Sequence, residues 1–168
     1  HVNALFHWPV YREIRDAADI LLTGDERTYA LVDGMFRTLR ECLRTNIVNI
    51  GMDEADLPGL GKYLTLHGYR DRFSILMEHL RRVSEMAKKY GLMWGDMFFR
   101  LAGGDYFTNF NQDPKLGEIP EEVRQLVPEN IHLVYWDYFS RDRQSYERNI
   151  DAHNAIKSGS WFAGGLWT

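Results

Sequence analysis

Two carboxylates stand side by side directly after a run of strand-forming residues. The run Ile47 to Met52, "IVNIGM", is predicted to be a buried strand, and Asp53 and Glu54 follow it without a break. On a surface loop such a pair has no special meaning. At the end of a strand in a parallel α/β domain it lies where ligands bind. There the two groups can transfer protons or accept hydrogen bonds from hydroxyl groups, so they are the first candidates for catalysis.

The other predicted strands, 92–97, 131–137 and 161–167, carry aromatic or acidic residues at or near their ends. These residues are Trp94, Asp96, Tyr135, Trp136, Asp137 and Trp167. Because the carboxyl ends of parallel strands meet at one edge of a sheet, the side chains should converge on one pocket. Aromatic walls with several carboxylates suit a sugar, whose apolar face stacks on Trp. Trp161, at the start of its strand, is predicted to be a core residue instead.

The elements that must position these residues alternate along the chain. Amphipathic helices are predicted at 26–44 and 69–90, with shorter helices at 120–127 and 142–157. Strands separated by helices imply parallel strands joined by crossovers, hence either a doubly wound sheet or a (β/α)8 barrel. Only four strands are visible, whereas a closed barrel needs eight. Residues 101–119, rich in Gly and Asn, are predicted to form a long loop at the binding mouth.

Composition excludes several classes of function. The chain has 168 residues, a net charge of −4 and basic residues spread along helices, which argues against a nucleic-acid partner. No apolar run approaches the roughly 18 residues that indicate a membrane span, and no membrane partner is predicted. Localisation stays open, with the cytoplasm favoured over a secreted or cell-surface position.

Neither a metal nor a cofactor is predicted. The histidines His67, His79, His132 and His153 lack the spacing of metal ligands, and "LPGLGK" lacks the context of a phosphate-binding loop. The single cysteine, Cys42, cannot form an internal disulfide. It is predicted to be a buried small apolar residue on the face of the first long helix.

The segment "NIGMDEA" resembles the catalytic signature of the family 20 glycoside hydrolases, the β-N-acetylhexosaminidases. The resemblance extends to "HWPVYREIRD", "GMDEADLPGLGKYLTLHGYRDRF", "MWGDMFFRL", "LVYWDYFS" and "WFAGGLWT", and is strongest for the bacterial branch that includes a streptococcal N-acetyl-β-glucosaminidase. It covers nearly the whole chain. The resemblance implies that residues 1–168 are a partial catalytic (β/α)8 barrel, about strands four to seven, with the first strands, their sugar-gripping Arg and the last strand outside this chain.

The resemblance also implies a mechanism in which adjacent carboxylates make sense. Glu54 would protonate the glycosidic oxygen while the 2-acetamido oxygen of the sugar attacks the anomeric carbon to give an oxazolinium ion. Asp53 would orient the acetamido nitrogen and stabilise its developing positive charge. Terminal β-linked N-acetylglucosamine or N-acetylgalactosamine would leave with retained configuration.

Further substrate contacts follow from the same resemblance. Tyr135 would bond the acetamido oxygen and Asp137 the outer hydroxyls, and His1 would bond the catalytic acid. The remaining substrate-binding positions are the tryptophans that wall the sugar and the acidic residue near them: Trp94, Trp136, Trp167 and Asp96.

Two alternatives remain open. The chain could be a carbohydrate-binding barrel fragment without catalytic activity, or another retaining glycosidase with a nucleophile of its own. The latter needs carboxyl groups about 5 to 5.5 Å apart on opposite sides of the bond, which a sequence-adjacent pair serves poorly. A partial barrel would leave strand edges unpaired, so a homo-oligomer or an additional chain is expected to complete it.

Overall fold

The computed structural model describes residues 3–87, 90–101 and 121–165, with the side chain of Tyr90 left out. Two 3-10 helices, Asn3–His7 and Pro9–Ile14, open the described chain. The helices and strands that follow are α1 (Glu26–Cys42), β1 (Ile47–Asn49), α2 (Lys62–His67), α3 (Arg72–Ala87), β2 (Tyr90–Trp94), α4 (Asp96–Leu101), α5 (Glu121–Arg124), β3 (Ile131–Asp137), α6 (Arg143–Ile156) and β4 (Trp161–Gly164).

The four strands form one sheet in the order β1-β2-β3-β4. The pairs β2-β3 and β3-β4 are parallel, with Trp94 opposite Val134 and Asp137 opposite Gly164. A doubly wound sheet would change direction at a switch point, whereas consecutive order is that of successive barrel strands. The predicted fold class is confirmed: the chain is mixed α/β with a parallel four-strand half-barrel.

The chain divides into two compact units. The first comprises His1–Val48 and Ala55–Lys89, and the second comprises Asn49–Glu54 and Tyr90–Thr168. In the second unit β3 is the most buried strand: Ile131, Leu133 and Tyr135 have no exposed surface. Helix α6 packs on β3 and buries Asn149, Ala152, His153 and Ile156 along one side, as the three-and-four spacing of a helix face requires.

In the first unit a buried carboxylate organises the chain before α2. Asp16 accepts hydrogen bonds from the backbone N–H groups of Gly59, Gly61 and Tyr63 at 2.6, 3.1 and 2.8 Å. Gly61 passes so close to the backbone of Asp16 that a β-carbon there would overlap it. The resulting loop brings Tyr63 into a cluster with Leu22 and Ile75.

The apolar face of α1 is less buried than the sequence predicted. Phe36 is buried, but Met35 and Leu39 are exposed, and Cys42, predicted to be buried, is exposed as well. The helix is held to α3 through its first turns, where the Arg82 guanidinium lies 3.6 Å from the centre of the Tyr29 ring. Periodicity identifies an apolar face, but burial needs a covering element, and the described residues supply none for the last turns.

Other helices and strands also differ from the predictions in their bounds. The first strand is shorter than predicted and is not buried: Ile47 is 38% exposed. Asp96, predicted inside a strand, is the first residue of α4, and α2 was missed. The helices predicted at 69–90, 120–127 and 142–157 occur as α3, α5 and α6. The predicted loop 101–119 lies outside the described residues apart from Leu101. No helix among the described residues is long and apolar enough to cross a membrane.

Candidate functional site

The Asp53–Glu54 pair lies on a turn that continues beyond β1 in the second unit. The backbone stays hydrogen-bonded to β2 past the end of the strand, because Ile50 N–H donates to Leu92 at 2.7 Å and Trp94 N–H donates to Gly51 at 3.1 Å. The turn has left-handed backbone conformation at Gly51 and also at two residues with side chains, Met52, with φ of 78°, and Glu54, with φ of 48°. A side chain disfavours such φ values, so neighbouring contacts must hold the turn in place.

Asp96 is the residue beneath this turn. Its Oδ2 accepts a hydrogen bond from the backbone N–H of Glu54 at 3.0 Å and lies 3.7 Å from Nε of Arg100. Its Oδ1 accepts a longer bond, 3.4 Å, from the indole Nε1–H of Trp136. The whole residue is 1% exposed. Asp96 thus joins the carboxylate-bearing turn to α4 and to the end of β3.

The ionised form of Asp96 is disfavoured relative to the protonated form at this buried position. Burial raises its pKa to about 6, and the negative charge of Asp53 acts in the same direction. The hydrogen bonds from Glu54 and Trp136 and the charge of Arg100 act against the rise but do not cancel it. The group therefore changes protonation state at mildly acidic pH.

Tyr135 and Asp137 form a second buried pair at the end of β3. The Tyr135 hydroxyl donates to Oδ2 of Asp137 at 2.5 Å, while Oδ1 accepts from the N–H groups of Phe139 and Ser140 at 2.8 and 2.9 Å. Burial opposes the charge of Asp137, but the hydrogen bonds outweigh it and hold the pKa below its ordinary value. Burial, and then the bond to Asp137, raise the pKa of Tyr135.

The aromatic residues differ in how much surface they present. Trp94 and Trp136 are half-buried, and the Trp136 ring lies 5.7 Å from that of Tyr138. Trp161 is 49% exposed, so its prediction as a core residue was wrong. The reason is that β4 is the last strand of the described sheet, and its side chains have a neighbouring strand on one side only.

The structure brings most of the predicted site residues into one unit. Asp96 accepts hydrogen bonds from the backbone of Glu54 and the indole of Trp136, and its charge interacts with that of Asp53. Trp94 is the last residue of β2, the strand between β1 and β3. Glu54 is exposed, whereas Tyr135 and Asp137 are bonded to each other and buried. His1 and Trp167 lie outside the described residues. Their roles, like those of the others, stay predictions.

Sequence reasoning missed Arg100, and it considered His153 only as a metal ligand. Arg100 lies four residues after Asp96 on α4, a helical spacing that could have indicated the pair. The ring centre of His153 lies 5.2 Å from that of Tyr135, and its Nδ1–H donates to the backbone carbonyl oxygen of Asn149 at 2.7 Å. Burial lowers its pKa to about 4, so it is neutral at physiological pH. Among the described residues no group of three or more side chains is arranged to hold a metal ion.

No protein-family profile matches the sequence, and no curated protein matches it. Among solved structures, the chain is similar to a GH20 β-N-acetylhexosaminidase from Streptomyces coelicolor A3(2), with 14% sequence identity and a TM-score of 0.46. The match covers 88% of this chain and 22% of the Streptomyces protein. The chain therefore spans about a fifth of the length of that enzyme.

Proposed function

We propose that this chain carries the acid–base machinery of a glycoside hydrolase that releases terminal β-linked N-acetylhexosamine with retention of configuration. The observation that carries the proposal is the pair Asp53 and Glu54 on a strained turn beyond β1, tied to the neighbouring strands through Asp96. Strain of this kind persists only where surrounding contacts enforce it, and it is common at sites that do chemistry.

The polarity of the site supports a sugar as the substrate. Trp94 and Trp136 offer half-buried aromatic surface near the same strand ends as the carboxylates. A pyranose ring can stack on such surface while acidic groups bond its hydroxyls. Neither a metal nor a cofactor is needed for this chemistry.

Adjacent carboxylates support assistance by the substrate. A nucleophile and an acid that work from opposite sides of a glycosidic bond need a separation of about 5 to 5.5 Å across the sugar, which neighbouring residues on one tight turn provide poorly. In the proposed mechanism Glu54 donates its proton to the leaving oxygen. The acetamido oxygen bonds the anomeric carbon as the glycosidic C–O bond breaks and the protonated leaving group departs, and Asp53 balances the positive charge that develops on the acetamido nitrogen.

The hydrolysis step completes the cycle. Water attacks the anomeric carbon of the oxazolinium ion, Glu54 accepts the proton of that water, and the C–O bond to the acetamido oxygen breaks. The acetamido group is restored, and Glu54 again carries a proton. A general acid–base group contributes about 10²- to 10⁴-fold to such a rate.

The test is the release of nitrophenol from 4-nitrophenyl N-acetyl-β-glucosaminide by this chain. Glu54→Gln should lower the rate by about 10² or more, because the amide can neither donate a proton to the leaving oxygen nor accept one from the attacking water. Glu147→Gln, at an exposed position on α6, is the matched control and should keep the parental rate. A thiazoline mimic of the oxazolinium ion should inhibit competitively.

Each outcome has a distinct meaning. Release that survives Glu54→Gln would refute the assignment of the acid. Glu54-dependent release that resists the thiazoline would favour an enzymic nucleophile over substrate assistance. Binding of the sugar without any release would support the alternative of a carbohydrate-binding fragment.

A further inference from the structure

Three of the hydrogen bonds that hold the turn carrying Asp53 and Glu54 are of different kinds. Gly51 N–H donates to the side chain of Asn49 at 2.8 Å, and Gly51 O accepts from Trp94 N–H at 3.1 Å. Both bonds are made by Gly51 and precede Met52 and Glu54, the two left-handed residues that carry side chains. At Glu54 itself, the bond from its N–H to Asp96 holds the backbone. The orientation of the Glu54 side chain therefore depends on a residue 42 positions further along the chain.

Both carboxylate oxygens of Asp96 are bonded to protein groups and are buried from solvent. Its two oxygens accept from the Glu54 N–H and the Trp136 indole, Arg100 lies beside Oδ2, and the whole residue is 1% exposed. A sugar hydroxyl would have to displace one of these contacts to reach it. Asp137 differs, since its oxygens are occupied by Tyr135 and by backbone groups only two and three residues away.

We infer that Asp96 is a positioning residue, which sets the Glu54 turn and the Trp136 ring relative to each other through its two carboxylate oxygens. It acts on the reaction through the acid and the aromatic wall and does not touch the substrate. The inference rests on the proposed function for its kinetic consequence, but its structural part can be tested without any activity.

The chemistry of the side chain explains why a carboxylate is suited to this role. Two N–H donors from different elements and one guanidinium converge on it, and a carboxylate accepts at both oxygens. An Asn side chain of the same size has one acceptor oxygen and two N–H donors. In Asp96→Asn either the Glu54 N–H or the Trp136 N–H would therefore face a donor, and the two elements could no longer be fixed together.

The structural test is a pH titration of the full chain by NMR. The backbone amide of Glu54 and the indole N–H of Trp136 should shift together with a midpoint at about pH 6, as Asp96 ionises. The charged groups that face Asp96 are Asp53 on the turn and Arg100 on α4. The carboxyl groups of Asp53 and Glu54 are retained in Asp96→Asn, so a shared shift that disappears in this variant belongs to Asp96.

A second variant guards against loss of folding in Asp96→Asn. Trp136→Phe removes the indole donor and leaves the bond from Glu54 to Asp96 in place. Because that donor favours the charged carboxylate, the midpoint reported by the Glu54 amide should move to higher pH. An amide that does not titrate near pH 6 in the parent chain, or a midpoint that Trp136→Phe leaves unchanged, would overturn the inference.

The kinetic test separates positioning from simple stability. Asp96→Asn should lower kcat by about a hundredfold, as small misplacements of catalytic groups do, with KM changed by less than about threefold. Asp142→Asn is the matched control: Asp142 also accepts a backbone N–H, from Ser145 at 2.8 Å, but at the start of α6. It should keep the parental kcat.

The outcomes separate the two proposals. Parental turnover in folded Asp96→Asn would overturn the positioning role even if Glu54 is the acid. An inactive parent chain whose Glu54 and Trp136 signals titrate together through Asp96 would refute the proposed function of this chain and leave the positioning of the turn established.

Discussion

Replacing Asp96 by Asn should change how the stability of the protein depends on pH. Burial raises the pKa of Asp96 from its ordinary value of 3.8 to about 6. Between those two pH values the folded protein keeps a proton that the unfolded chain releases. The free energy of unfolding must therefore fall as the pH rises through this window.

The magnitude follows from the size of the shift. A difference of about two pKa units, at about 1.4 kcal/mol per unit, corresponds to about 3 kcal/mol. Well below pH 3.8 the carboxyl group is protonated in both states and this contribution to stability is complete. It is lost as the pH rises to about 6, and above about pH 7 there is no further change. Asn cannot ionise, so the variant should lack this loss.

The assay is urea unfolding of both chains at a series of pH values between 4 and 7.5, followed by tryptophan fluorescence. The quantity to plot is the unfolding free energy of the parent minus that of Asp96→Asn, because the titration of groups that do not interact with Asp96 then cancels. This difference should fall by about 2 kcal/mol from pH 4 to pH 7, since part of the full change lies below pH 4. The second unit contains Trp94, Trp136 and Trp161 and so contributes strongly to the signal.

Asp142→Asn provides a control of opposite sign. Hydrogen bonds from the backbone and hydroxyl of Ser145 lower the pKa of Asp142, so its contribution to stability is present at neutral pH and is lost as the pH falls. The corresponding difference should rise with pH or stay level. An Asp96 difference that is flat or rises between pH 4 and 7 would refute the account of a buried, unfavourably charged carboxylate.

Three further substitutions test the packing around the site and the first unit. Gly95→Ala places a β-carbon 2.6 Å from Nε2 of buried His153. The free energy of unfolding should fall by about 1–3 kcal/mol and the thermal midpoint should be lower. An unchanged midpoint would contradict this contact. Tyr135→Phe removes the 2.5 Å hydrogen bond to Asp137 and should lower the free energy of unfolding by about 1.5–3 kcal/mol at pH 7. The loss should be smaller at lower pH, where Asp137 becomes protonated. A loss that does not depend on pH would contradict the role of this bond. Asp16→Ala leaves three backbone N–H groups without their acceptor and should cost at least about 2 kcal/mol in urea unfolding, while Asp16→Asn should lose less.

Local pattern was sufficient for much of the fold. The helical spacing of apolar residues located α3 and α6, and the β-branched and aromatic run 131–137 located β3 with the same bounds as in the structure. The two helices each bury one face and β3 is buried along most of its length, so the spacing of their apolar residues reflects their burial. Pattern failed for Cys42, Ile47 and Trp161, whose apolar character does not specify whether a neighbouring element covers them.

The sequence named most residues of the candidate site but not the contacts between them. The position of Asp53 and Glu54 after a strand can be read from residue order alone. The left-handed backbone of Met52 cannot, because a methionine carries no local signal for φ of 78°. Nor does local sequence reveal that Asp96 begins a helix, because "LMWGDM" continues an apolar run through that residue.

The sequence by itself determined the alternation of helices and strands, the α/β class, and the set of carboxylates and aromatic residues at the strand ends. These features depend on residue types and on spacings within a few residues. Only the tertiary structure decided that Asp96 lies under the Glu54 turn, that Tyr135 bonds Asp137, and that the apolar end of α1 is exposed. Burial, hydrogen bonding and pKa depend on groups that are brought together from distant parts of the chain, such as Glu54, Asp96 and Trp136. Their contacts form only when β1, β2 and β3 lie side by side in the sheet.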